Sequence, residues 1–268
     1  MTGEGALERD GRRLAWRESG EGPVLLLLQG YSGTAADWDP TFLGELADGH
    51  RVVCPDPRGM GESSWGDAVE PITVASMAAD ALAVLDALGV DRAVVVGWSM
   101  GGFVAQALTC AAPSRVSGLG LIGTDAGGPT AVLADAADWA RLVDTSGTPR
   151  EQATRLLDLL FPQPLAGQLD AQVGDLVAQA KAVLDPAVLK SQESAIEGWH
   201  RAPVGPVPVG APPVVAVAGS VDVVIPAANL SLIAARWPGS RTEVIDGAGH
   251  GVMAQEPQRV AALLRSLG

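Results

Sequence analysis

Three kinds of side chain in this sequence could together perform nucleophilic catalysis. Ser99 lies in Gly97-Trp98-Ser99-Met100-Gly101-Gly102, His250 lies in "IDGAGHGVM", and a candidate acid follows each of two apolar runs, Asp222 in "AGSVDVVIP" and Asp125 in "LIGTDAGG". A serine hydroxyl is a poor nucleophile at neutral pH. It needs a base beside it, and the base needs an acid that orients it. The chain has three histidines, His50, His200 and His250. His50 reads as a solvated strand end, and His200 closes a helical stretch where a surface position or the wall of a pocket would fit. His250 sits in a glycine-rich loop before the last helix, which suits an imidazole presented at a sheet edge. Asp222 is favoured as the acid because it gives the order serine, aspartate, histidine, with the acid in the loop just before the histidine's strand. Asp125 reads as a cap for the segment that follows it.

These residues need a scaffold, and the apolar runs supply one. "LLLLQ" (25–29), "RVVCP" (51–55), "AVVVGW" (93–98), "GLGLIG" (118–123) and "PVVAVAG" (213–219) are continuous rather than alternating, as strands buried on both faces of a parallel sheet are. A further strand is expected over 241–245. Helical patterns lie between them. The clearest begins after the N-cap candidate Thr73, places Val74, Met77, Ala81, Leu82, Leu85 and Leu88 on one stripe, and stops at Gly89. The fold class is therefore α/β, with a mostly parallel central sheet flanked by helices. The alternation lapses between "LIGTDAGG" and "PVVAVAG", where four stretches keep helical periodicity and none reads as a strand. This predicts a core of residues 1–125 and 206–268 with a helical insertion over 126–205. Ser99 falls where a strand turns sharply into a helix, and small neighbours on both sides let the chain make that turn.

Composition narrows the function classes. A formal net charge of −13, with Lys181 and Lys190 the only lysines, argues against a nucleic-acid or anionic-membrane surface. Cys54 and Cys110 sit in apolar contexts and read as buried free thiols rather than a disulfide or a metal site. "MTGEGALERDGRR" carries acids and no apolar stretch, so it does not read as a signal peptide, and a cytoplasmic protein is expected. The uncharged stretch 202–221 contains Pro203, Pro206, Pro208, Pro212 and Pro213, too many for a membrane helix, and reads as a linker running into a strand.

Taken together, "GWSMGG", "GSVDVVIP", "GAGHGVMAQEP" and "DPRGMGESS" resemble, in order along nearly the whole chain, the nucleophile elbow, acid loop, histidine loop and Asp-x-Arg-Gly-x-Gly-x-Ser turn of the α/β-hydrolase superfamily. The resemblance implies a serine hydrolase mechanism with Ser99 as nucleophile, His250 as base and then acid, and Asp222 as orienter. It also implies an oxyanion hole formed by the backbone N–H groups of Tyr31 and Met100. The chain departs from the family in having Gln29 where His-Gly is usual; the donor is a main-chain group, so the change bears on how the loop is braced. Serine at the elbow argues against carbon–halogen and epoxide chemistry, which the family performs with aspartate.

The leading expectation is hydrolysis of a small or medium, mainly uncharged carboxylic ester, lactone or thioester, with specificity set by the insertion, where Trp139, Phe161 and Trp199 could line a pocket or form its core. A cofactor-free haloperoxidase or perhydrolase, or a carbon–carbon bond hydrolase, would use the same triad. A small-ligand receptor on a hydrolase scaffold is the alternative of another class. The expected partner is a small apolar substrate, without cofactor, metal, nucleic acid or membrane; a homodimer is compatible with this reading.

Overall fold

A computed structural model describes residues 3–66 and 70–268; of the N-terminal stretch read above, Met1 and Thr2 lie outside them. The strands are β1 (Gly3–Arg9), β2 (Arg12–Ser19), β3 (Val24–Leu28), β4 (Arg51–Pro55), β5 (Ala93–Trp98), β6 (Val116–Ile122), β7 (Val214–Gly219) and β8 (Arg241–Ile245). The helices are α1 (Pro40–Ala47), α2 (Val74–Ala87), α3 (Met100–Ala111), α4 (Ala136–Val143), α5 (Pro149–Leu160), α6 (Leu165–Ala182), α7 (Pro186–Arg201), α8 (Asn229–Arg236), α9 (Val252–Gln255) and α10 (Pro257–Arg265). One eight-stranded sheet runs β1-β2-β4-β3-β5-β6-β7-β8. The pairs β1/β2 and β2/β4 are antiparallel and all others parallel.

The alternation of side chains across the pleat explains the leucine run of β3. Leu26 and Leu28 join Val53, Val95, Leu119 and Leu121 on the face that carries α2, α3 and α8. Leu25 and Leu27 join Val52, Val94, Val96 and Val217 on the face that carries α1 and α10. A strand with helices on both faces has no polar side, so its sequence does not alternate. The helix after Thr73 forms as its pattern indicates: Thr73 accepts from the Ser76 N–H at 3.0 Å, Ser76 reciprocates, and Gly89 stops the chain with φ of 64°.

Helices α4 to α7 form the inserted region between β6 and β7. The uncharged stretch after α7 is irregular and leads into β7, and no helix of the described residues is long and apolar enough to cross a membrane. Two local readings are corrected. His50 is buried, its Nε2 2.8 Å from the Gly268 carbonyl, because the C-terminus folds back over the start of β4. Cys54 is buried and burial pushes its thiol well up, but Cys110 is only half-buried, with Arg236 Nη2 3.8 Å from its sulfur; both are free. The β1–β2 hairpin was not expected, although its turn is Asp10-Gly11 with φ of 50° and 72°, a common tight hairpin connection.

Candidate active site

The centre of the site is the junction of β5 and α3. Ser99 has φ of 56° and ψ of −125°, a strained conformation for a residue with a side chain, and it is held there from several directions. Its N–H donates to the Ile122 carbonyl at 2.9 Å, and its carbonyl accepts from Thr124 Oγ1 at 2.8 Å. The small neighbours are required by close approach: a Cβ on Gly97 would collide with the Gly101 carbonyl, one on Gly101 with the Leu28 carbonyl, and one on Gly102 with the Thr124 side chain. The turn can exist only because these three positions are glycine.

His250 and Asp222 arrive from the loops after β8 and β7. His250 Nδ1 lies 2.8 Å from Asp222 Oδ2, and both residues are buried. Asp222 Oδ1 accepts from the N–H groups of Val224 and Ile225 at 2.8 and 2.9 Å. One carboxylate oxygen is thus fixed by the backbone and the other is left for the imidazole. The histidine loop is tied on both sides: Trp98 Nε1 donates to the His250 carbonyl at 3.0 Å, and the Gly251 N–H donates to the Leu160 carbonyl at 2.9 Å. Gly123 brings the serine and histidine loops together. It follows Ile122, the partner of Ser99, and a Cβ there would stand 3.3 Å from His250 Nδ1. Helix α8 begins at Asn229, whose amide donates to the carbonyls of Val132 and Pro226.

The loop after β3 faces the elbow. A Cβ on Gly30 would stand 3.0 Å from Ser99 Cβ, so glycine sets how near the two loops lie. Among the described residues neither the Tyr31 nor the Met100 N–H has a protein acceptor, and both residues line the same cavity as Ser99. Gln29 is buried, with Oε1 accepting the Gly30 N–H at 3.1 Å. The "DPRGMGESS" turn is structural: Asp56 accepts from the Ala35 and Glu62 N–H groups, and Arg58 makes a buried bidentate pair with Asp80 at 2.7 and 2.8 Å.

The insertion roofs a cavity of about 500 Å³ whose wall includes Ser99, Tyr31, Phe103, Trp139, Ile225 and His200. It also grips the loop after β3. Tyr31 Oη donates to Glu193 Oε1 at 3.2 Å, Gln192 Oε1 accepts the Ser32 N–H at 2.9 Å, and Lys181 Nζ donates to Ser32 Oγ. Burial and the neighbouring Glu193 push the Tyr31 phenol well up, and burial pushes Lys181 down to about 8. Of the three aromatic residues of the insertion, Trp139 lines the cavity, Trp199 stacks on Phe103 with centroids 5.3 Å apart, and Phe161 packs against Gly251 instead.

One arrangement was not legible in the sequence. Asp125, 1% exposed, does not cap a helix. Its Oδ2 lies 2.9 Å from His200 Nε2, while Oδ1 accepts from Trp199 Nε1 at 3.0 Å and the Gly127 N–H at 2.7 Å. His200 and Asp125 are 75 residues apart, and no local pattern signals their meeting.

A mostly parallel sheet with a strained serine at a strand-to-helix turn, an Asp–His pair beside it and a helical roof defines the α/β-hydrolase class of architecture. The chain belongs to that family: residues 23–173 match the alpha/beta hydrolase fold. It is 30% identical to the rhodomycin D methylesterase DnrP of Streptomyces peucetius over 90% of this chain and 89% of that protein. A hydrolase from Pseudomonas aeruginosa PA01 superposes with a TM-score of 0.81 at 29% identity, covering 99% of this chain and 98% of the other. The enol-lactonase from Burkholderia xenovorans LB400, at 22% identity and TM-score 0.82 over 98% and 99% of the two chains, shares the fold.

Proposed function

We propose that the protein is a serine hydrolase acting on a small or medium, mainly uncharged carboxylic ester, lactone or thioester through an acyl-Ser99 intermediate. The observation that carries this reading is the buried His250–Asp222 contact of 2.8 Å on the sheet edge where Ser99 is held at positive φ. Asp222 accepts a hydrogen bond from the Nδ1–H and so leaves Nε2 as the basic nitrogen. Ser99 Oγ attacks the substrate carbonyl while Nε2 takes its proton. The oxyanion of the tetrahedral intermediate is met by the N–H groups of Tyr31 and Met100. His250 returns the proton to the departing alcohol or thiol, and a water attacking the acyl group under the same base regenerates Ser99. The methylesterase relative favours an oxygen ester as the first chemistry to examine.

The test is labelling with a fluorophosphonate and turnover of a panel of nitrophenyl esters, with Ser99→Ala as control. A phosphonyl adduct on Ser99, and ester turnover absent from the variant, are expected. No adduct, and turnover equal to that of the variant, would refute the assignment.

A further inference from the structure

The wall of the cavity includes an Asp–His pair that the proposed reaction does not use. Asp125 is buried at the end of β6, one residue beyond Thr124, whose hydroxyl binds the Ser99 carbonyl. It faces three donors, two of them side chains of the insertion, so it joins the core to the roof. Since Oδ1 is occupied by Trp199 Nε1 and the Gly127 N–H, Oδ2 is left for His200 Nε2. A carboxylate accepts only, so Nε2 carries the proton of this contact, and an uncharged imidazole protonated there has its lone pair on Nδ1. Phe103 packs edge-on to the ring, centroids 5.4 Å apart, fixing its plane. Among the described residues Nδ1 has no hydrogen-bond partner, it is not among the sealed polar atoms, and His200 lines the cavity with Ser99.

We propose that His200 is a specificity residue: its Nδ1 accepts a hydrogen bond from a hydroxyl of the substrate placed away from the scissile bond, so the preferred esters carry a free hydroxyl on an otherwise apolar body. This rests on the hydrolase reading for the word ester, and the recognition itself can be measured without turnover. The competing polar groups are accounted for. Tyr31 Oη spends its proton on Glu193, and Glu197 and Arg201, 3.4 Å apart, are largely exposed. Met100, Leu142, Ile196 and Val224 in the surrounding wall offer a chain or ring apolar contact. A hydroxyl entering it without an acceptor would lose its water partners uncompensated.

The test uses Ser99→Ala protein and calorimetric titration with methyl esters of graded chain length in three matched forms, ending in hydroxyl, methyl or methoxy, at mildly alkaline pH. At one length the hydroxyl form is expected to bind about three- to tenfold tighter than both partners, the worth of one hydrogen bond. Adding His200→Leu should abolish that preference. Adding Asp125→Asn keeps the acceptor for Trp199 and Gly127 but presents an amide donor to Nε2. The ring proton then moves to Nδ1, and the methoxy form should gain on the methyl form. A role in holding the roof alone would not invert this preference, and circular dichroism checks that both variants fold. Equal binding of hydroxyl and methyl forms at every length, or a preference that survives His200→Leu, would overturn the proposal. Loss of ester turnover in the native protein would instead count against the hydrolase reading, and the binding result would stand.

Discussion

Two Asp–His pairs are built to the same plan, one buried in the loops after β7 and β8 and one in the wall of the cavity. Asp222 gives Oδ1 to two backbone donors and Oδ2 to His250; Asp125 gives Oδ1 to one backbone and one indole donor and Oδ2 to His200. They differ in which nitrogen is bound and in what holds the ring. His250 is bound through Nδ1, lies on a loop of the core and is 3% exposed; His200 is bound through Nε2, lies at the end of α7 in the insertion and is 17% exposed. On the roles proposed above, the same pair of side chains serves two purposes: the first would poise a base for Ser99, and the second would orient an acceptor toward a molecule in the cavity.

This contrast predicts effects that differ in size and kind. The largest belongs to the first pair: His250→Ala should reduce ester turnover on the order of a million-fold, the scale at which a serine hydrolase loses its base, whereas His200→Ala should change kcat by less than about tenfold. Near-equal losses would erase the distinction. Next comes the facing loop. Gly30→Ala puts a methyl 3.0 Å from Ser99 Cβ and 3.3 Å from the Trp98 carbonyl, displacing the Tyr31 N–H. Steady-state kinetics should show a kcat loss on the order of a hundredfold, with unfolding little changed. Gln29→His should alter turnover within about threefold, as its contact is to the Gly30 backbone rather than to substrate.

The smallest effect on turnover is expected at Lys181, which ties the roof to Ser32. Its folded value, about 8, lies below the ordinary 10.5, so between these pH values the folded chain binds fewer protons than the unfolded one and stability from this site rises with pH. Lys181→Met should therefore raise the thermal midpoint most near neutrality, with the gain shrinking as pH climbs from about 8 toward 10.5. A gain that stays flat through that window would contradict the burial of a charge there.

The sequence spoke clearly where structure is local. Continuous apolar runs mark the buried strands because both faces are covered, and the strands over 51–55 and 93–98 begin and end where those runs do. The elbow was legible because its glycines bracket the serine within a few residues, although Gly101 answers to the distant Leu28 carbonyl of β3 and Gly102 to Thr124. The β1–β2 hairpin was missed because β1, GEGALER, carries one large apolar residue and is mostly exposed, although Asp10-Gly11 marks the turn. His50 was misread because its partner is the far C-terminus. Asp125 and His200 could not be joined at all, since only the folding of the insertion over the core brings them together.

The most direct measurement compares Asp222→Asn with Asp125→Asn in kcat on an unsubstituted nitrophenyl ester. An asparagine at position 222 presents the wrong partner to His250 Nδ1, and turnover should fall roughly ten-thousand-fold, whereas the change at 125 should leave kcat within about threefold. If the loss follows Asp125 instead, the catalytic acid lies at the end of β6 and the assignment of the two pairs is reversed.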